Sequence, residues 1–310
     1  MAPTRITFLT LIARNRRNSV FLMLVMGALV VLLGAIFSSA WLDDILPGIF
    51  IAGLLAAVMV GVSFYEGNNI ILAMSGARRI EKRDHPQLFN VVEELAIAGG
   101  IPMPSVYLIE DTAPNAFATG RDPQNAAVAV TRGLIEKLDR DELQGVMAHE
   151  IAHIRNFDIR FAMLMAVLVG VVVLLSDFFL RGTFWGGGGR RRSSSKGGGN
   201  AIIFLVAIAL AILAPLFAQL IQLAMSRQRE YLADASAVQL TRYPDGLARA
   251  LQKIAMDDEP LEAANRATQH LYIVNPLNKY KWGADSIFST HPPIEKRVEL
   301  LRRLSVTGAK

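Results

Sequence analysis

Cysteine is absent from all 310 residues. The absence excludes disulfides, thiolate zinc sites and a cysteine nucleophile, and it suits either side of a bacterial inner membrane. Histidine is scarce, with five copies, so any imidazole-based site must draw on His85, His149, His153, His270 and His291. Charged residues make up 19% of the chain against 52% hydrophobic. That balance is too apolar for a purely soluble enzyme and too charged for a simple bundle of membrane spans, so a mixed protein is expected. The net charge of +5 reads as loop positioning at a membrane rather than as a nucleic-acid surface.

What the chain does have is long runs without charge. Residues 20–41 and 45–65 carry none, and the first alone covers about 33 Å at about 1.5 Å per residue, enough to cross the hydrocarbon. It outruns a signal-peptide core and is followed by Asp43 and Asp44 in place of a cleavage pattern, so it reads as an uncleaved anchor. Residues 20–65 are therefore expected to form a two-span hairpin behind an N-terminal arm, residues 1–19. Arg5, Arg14, Arg16 and Arg17 precede the hairpin, and Arg78, Arg79, Lys82 and Arg83 follow it. By the positive-inside rule both outer ends are cytoplasmic and the aspartate turn is outside.

A second hydrophobic pair occupies residues 161–225. Its first run, 161–176, is only about 24 Å long as a helix and marginal for a full crossing. The second, 201–225, contains Pro215, where a kink is expected. Between them RGTFWGGGGRRRSSSKGGGN, residues 181–200, reads as a flexible, solvated linker. If both runs cross, this linker carries Arg181, Arg190, Arg191, Arg192 and Lys196 to the outside, against the positive-inside rule; crossing is nonetheless the reading adopted. Either outcome returns the chain to the same side, so residues 66–160 and 226–310 can meet and form one domain.

The first of these pieces is α+β in pattern. Leu88, Val91, Val92, Leu95 and Ile97 mark an amphipathic helix over 86–97, ended by Gly99 and Gly100. Residues 106–109 and 126–131 read as strands, and Asp139 with Glu142 marks a helix start. The second piece is expected to be helical over 227–240, 244–256 and 261–270, with a last helix opened by Pro292 and Pro293.

The helix that starts at Asp139 carries VMAHEIAHIRNFD, residues 146–158. Residues four apart share a helix face, so His149 and His153 can offer imidazole nitrogens to one metal at about 2.0–2.1 Å. Glu150 lies beside the pair, where it can take a proton from a metal-activated water. A catalytic zinc usually has a third protein ligand. The remaining histidines are eligible, and the preferred carboxylate is Glu230 in SRQREYLADASAV; Asp234, four residues on, can hold a ligand histidine by its other ring nitrogen.

HEIAH, EYLAD and STHPPIEKR (residues 289–297) together resemble the HtpX-type integral membrane zinc metalloproteases, relatives of the CaaX prenyl proteases in the gluzincin class. The likeness runs over nearly the whole chain, the N-terminal arm and the Gly/Arg-rich loop apart. It implies a mainly α membrane protein with a cytoplasmic α+β gluzincin-like domain bearing a small edge-strand sheet. It implies one zinc ion per chain on His149, His153 and Glu230, with Glu150 as general base. It also implies a role for His291 and Arg297 at the scissile carbonyl, as oxyanion stabilisers. PNAFATG, residues 114–120, resembles a further signature of that family, in which Asn115, Ala116, Phe117 and Ala118 form an edge strand that binds extended substrate through its backbone.

The function implied is a zinc endopeptidase of the bacterial inner membrane, multi-pass, cutting misfolded or damaged membrane proteins from the cytoplasmic side. Its partners are those substrates and the lipid bilayer, with no nucleic acid. Two rivals are a prenyl-peptide protease, disfavoured because four hydrophobic segments are few to enclose an intramembrane chamber, and a transporter or scaffold. A transporter needs ionisable residues along its spans, and Asp177, near a span end, is the single one.

Overall fold

The long uncharged runs become the longest elements. The computed structural model describes residues 8–185, 198–263, 271–274 and 292–307. In order these form α1 (Phe8–Leu42), α2 (Leu46–Met74), β1 (Arg78–Arg79), α3 (Pro86–Gly99), β2 (Ser105–Ile109), β3 (Ala116–Gly120), β4 (Ala126–Thr131), α4 (Arg132–Lys137), α5 (Arg140–Arg155), α6 (Asp158–Trp185), α7 (Gly198–Thr241), α8 (Pro244–Ala255) and α9 (Ile294–Thr307). Among the described residues, four helices are long and apolar enough to cross a membrane, with candidate spans Arg17–Leu42, Leu46–Met74, Asp158–Phe184 and Ile202–Thr241.

Several boundaries differ from those expected. The described part of the N-terminal arm is helix, continuous with the first span, and α2 runs beyond Tyr65 to Met74. The third segment does not stop at its charge: Asp177 and Arg181 sit one turn apart and pair at 2.8 Å, which keeps both on the helix surface and lets α6 reach full spanning length. The fourth segment and the helix expected after it are one element, α7, with Pro215 inside it. The helix expected over 261–270 does not begin at its predicted start, because residues 262–263 form a turn; residues 264–270 lie outside the described residues, as does most of the Gly/Arg-rich loop.

The chain divides into two compact units. One takes in Arg16–Phe64 and Ala162–Ala224; the other takes in Tyr65–Phe161 and Met225–Lys310, with the first turns of α1. Within the apolar unit, α1 and α2 touch backbone to backbone. A Cβ on Gly48 would lie 1.9 Å from the Gly34 carbonyl oxygen, a contact that small residues permit and that suits helices packing without a hydrophobic driving force. Phe37 stacks on Phe179 at 4.3 Å and Trp41 on the same ring at 5.1 Å, while Trp41 Nε1 donates to Thr183 Oγ1 at 3.3 Å.

The polar unit is built on a four-stranded sheet in the order β1-β2-β4-β3. β2 and β4 are parallel, and the outer strands pair with them antiparallel. The crossover hydroxyl of Thr131 fixes the start of β3: it accepts from the Asn115 N–H at 2.8 Å, donates to the Asn115 carbonyl at 3.0 Å and caps α4 through the Leu134 N–H at 3.2 Å.

Helix α5 is the core of this unit. Its start is a capping box, in which Asp139 accepts from the Glu142 N–H and Glu142 accepts from the Asp139 N–H, both at 2.9 Å. Leu143, Val146, Met147 and Ile151 are buried with Leu88, Val92, Leu247 and Leu251 from α3 and α8. The buried Glu142 also accepts from Lys253 Nζ of α8 at 2.6 Å. Gly145 allows the close crossing of α5 and α8, since a Cβ there would lie 2.5 Å from the Leu247 backbone nitrogen. Gly145→Ala must push α8 away, and overpacking of this kind costs about 1–3 kcal/mol. The expected outcome is a lowered melting temperature in detergent; unchanged melting would contradict the packing described.

Candidate metal centre

The second half of α5 presents His149 and His153 on one face, four residues apart as the helical period requires. Their Nε2 atoms lie 3.1 Å apart. Glu230, from the polar end of α7, places Oε2 3.6 Å from His149 Nε2 and Oε1 3.4 Å from His153 Nε2. Among the described residues these three form the group able to hold a metal ion, with ligand atoms all within 4.8 Å of one another. Two ligands at about 2.0–2.1 Å from one tetrahedral ion stand about 3.3 Å apart, so the three separations fit one divalent cation. The donor set fits as well: two imidazoles, one carboxylate, no sulfur.

Each ligand histidine is aimed by its own carboxylate. Asp234 Oδ1 lies 2.9 Å from His149 Nδ1, and Asp158 Oδ2 lies 3.1 Å from His153 Nδ1. A proton held at Nδ1 by a carboxylate leaves the Nε2 lone pair free for a metal. Asp234 is held in turn by the buried Arg297, whose Nε and Nη2 donate to its two oxygens at 2.8 and 2.7 Å. Nη1 of Arg297 lies 3.2 Å from Glu230 Oε2 and donates to the Ile273 carbonyl at 3.3 Å.

Glu150 is 2% exposed. Its burial raises the carboxyl pKa, against the pull of the His149 and His153 charges. Burial opposes protonation of the two imidazoles, yet their carboxylate partners prevail. Asp234 and Glu230 raise His149, and Asp158 and Glu230 push His153 up to about 10.

The sequence-derived candidates thus fall in different places. His149, His153, Glu230 and Asp234 converge. Arg297 reaches the same cluster, where its neighbours are Asp234, Glu230, the His149 ring and the Ile273 carbonyl. His291 and His270 lie outside the described residues, and His85, ahead of α3, does not belong to the metal group. The strand expected over 115–118 is Ala116–Gly120, at the sheet edge, with Asn115 just before it. Two further residues matter that were not among those candidates. Asp158 is the His153 partner, and the buried Arg229 donates through Nη1 to the Asp158 carbonyl at 3.2 Å. A continuous helix would not bring residue 158 back to residue 153. The corner at Phe157, with φ of 61°, does so by ending α5 and starting α6 in a new direction.

Paired imidazoles and a carboxylate around one cation position, with a buried glutamate beside the first imidazole, suit a metalloprotease, the class that the family match assigns to the chain. Residues 82–305 match Peptidase family M48, and the chain belongs to that family, in its HtpX-type group. It is 44% identical to a Protease HtpX homolog of Listeria monocytogenes serotype 4b over 300 residues, covering 94% of this chain and 98% of the relative. It is 46% identical to a Protease HtpX homolog of Dictyoglomus turgidum over 299 residues, covering 96% and 95%. The crystal structure of S. mikatae Ste24p shares the fold, with a TM-score of 0.53 at 22% identity over 94% of this chain and 67% of that one.

Outer partners of ligand histidines typically contribute a factor of about 10–100 in metal affinity. Asp158→Asn should therefore weaken metal binding by about that factor, read by competition with a chelator of known affinity. Unchanged affinity would show that Asp158 does not set the His153 ring.

Proposed function

We propose that this membrane metalloprotease is a zinc endopeptidase that cuts unfolded or damaged membrane proteins from the cytoplasmic side of the bacterial inner membrane. The observation that carries the reading is the meeting of His149, His153 and Glu230 beside the buried Glu150. Zinc held by those three residues supplies a Lewis acid that polarises a carbonyl and acidifies a water.

The chain's own residues account for the rest. Asp234 and Asp158 hold the imidazole Nδ1 protons, so both rings present Nε2. Arg297 favours the ionised form of Asp234 and holds Asp234 and Glu230 in register. Glu150 takes the proton of the attacking water as the new C–O bond forms. It then gives that proton to the nitrogen of the scissile bond, which leaves as the amine. Burial favours this second step, because a carboxyl whose pKa is raised holds the proton long enough to pass it on rather than losing it to solvent. We assign substrate binding to the edge of β3, where Asn115, Ala116, Phe117 and Ala118 mark the strand; backbone pairing reads little side-chain information and suits a broad choice of unfolded segments. Arg297 is assigned a positioning role, and His291 keeps the oxyanion role that the family resemblance implies. No part of this reading calls for nucleic acid.

Glu150→Ala should keep its metal but cut casein about 10²–10⁴ times more slowly, the usual share of a general base. Equal rates would remove Glu150 from the chemistry. The orientation is tested on a chain with no background thiols. With a cysteine placed at Asp44, an impermeant maleimide should label intact cells, and with one at Lys82 it should label only after permeabilisation. The reverse pattern would put the metal centre outside.

A further inference from the structure

Antiparallel pairing sorts the residues of β3 into two phases, one bonded to the neighbouring strand and one facing away from it. Asn115 faces β4, since its N–H and carbonyl meet Thr131 at 2.8 and 3.0 Å. Phe117 and Thr119 share that phase. Ala116, Ala118 and Gly120 therefore turn their N–H and carbonyl groups away from β4, on a strand whose residues are all buried.

At Ala116 both outward groups are already taken. Its N–H donates to Asn115 Oδ1 at 3.1 Å, and its carbonyl accepts from the Ile273 N–H at 3.0 Å. The same short segment is pinned twice more. The Val274 carbonyl accepts from Asn115 Nδ2 at 3.0 Å, and the Ile273 carbonyl accepts from Arg297 Nη1 at 3.3 Å. Among the described residues, nothing hydrogen-bonds the outward groups of Ala118.

Residues 272–274 are also packed into the core. Tyr272 and Ile273 are 0% and 2% exposed. The Tyr272 ring meets the Phe117 ring edge-on at 5.1 Å, in the cluster that includes Leu72, Ala127 and Ala129. Ile273 and Val274 instead join the cluster of α5 and α8. A segment divided between two cores and tied to Arg297 is not displaced by the few backbone bonds that a substrate strand could offer in exchange.

We propose that residues 272–274 are a fixed stop on the substrate edge. A bound chain pairs from Ala118 towards Gly120, and on the other side of Ala118 it finds no free backbone. Cleavage is then asymmetric in its demand for substrate length: residues on one side of the scissile bond add backbone pairing and those on the other do not. This inference rests on the endopeptidase reading and on β3 as its substrate edge.

The test uses the full chain in detergent and nested fluorogenic peptides around one scissile bond, lengthened a residue at a time on either side. On one side kcat/KM should rise about fivefold for each added backbone pair, in line with the net value of a hydrogen bond. On the other side it should stay flat. A similar rise on both sides would overturn the stop. Ala118→Pro removes the first free N–H at a position where an edge strand accepts proline. It should flatten the rising side while metal content stays at the wild-type level, and a rise that survives would overturn pairing at Ala118. If none of the peptides, nor casein, is cut by the zinc-loaded chain, the endopeptidase reading fails first, and the stop with it.

Discussion

Everything in the polar unit serves one electrostatic constraint, the pairing of charges that have been taken out of water. Glu150, Glu230, Asp234 and Asp158 are buried together with Arg229 and Arg297 around two imidazoles. Unpaired charges in such a place cost several kcal/mol each, and an incomplete network is worse than an apolar core. With neutral imidazoles, four carboxylates against two guanidiniums leave two negative charges uncompensated. Protonation of both imidazoles would offset these charges, and a divalent cation between His149, His153 and Glu230 would take over that role with the imidazoles neutral.

The constraint also explains why distant pieces of chain are joined. α5 provides both imidazoles, α7 Glu230 and the carboxylate beside His149, the start of α6 the carboxylate beside His153, and α9 the arginine that spans Asp234 and Glu230. Arg297 extends the network to the Ile273 carbonyl, and so to the segment bonded along the first residue of β3. The His149, Glu230 and Asp234 cluster and the strand edge are therefore linked through Arg297 and the Ile273 carbonyl. The apolar unit obeys different rules. It relies on small residues at the Gly34 and Gly48 contact and on the stacked rings of Phe37, Trp41 and Phe179, because apolar area gains nothing between helices in lipid.

Much of the centre was legible in the sequence because it is written in helical periods. His149 and His153 four apart, and Glu230 and Asp234 four apart, are pairs whose spacing alone puts them on shared faces. What was not legible depends on irregular backbone. Asp158 reaches His153 only through the left-handed turn at Phe157. Residues 272–274 have neither helical nor strand period, so nothing in their pattern marks them as neighbours of Ala116. Arg297 was found by family resemblance, but sequence does not say which carboxylate a cation will choose, and here it pairs with Asp234 and Glu230. The third hydrophobic segment looked too short because counting stopped at Asp177, whose charge is answered one turn later by Arg181.

The most direct measurement is the metal content of the purified chain beside that of Glu230→Ala. Joint coordination from α5 and α7 predicts about one zinc ion per wild-type chain, as three protein ligands to one site require, and loss of nearly all of it in the variant after mild chelation. Full zinc retained by folded Glu230→Ala would contradict the account, because the two imidazoles would then be binding metal without the carboxylate that the fold brings to them.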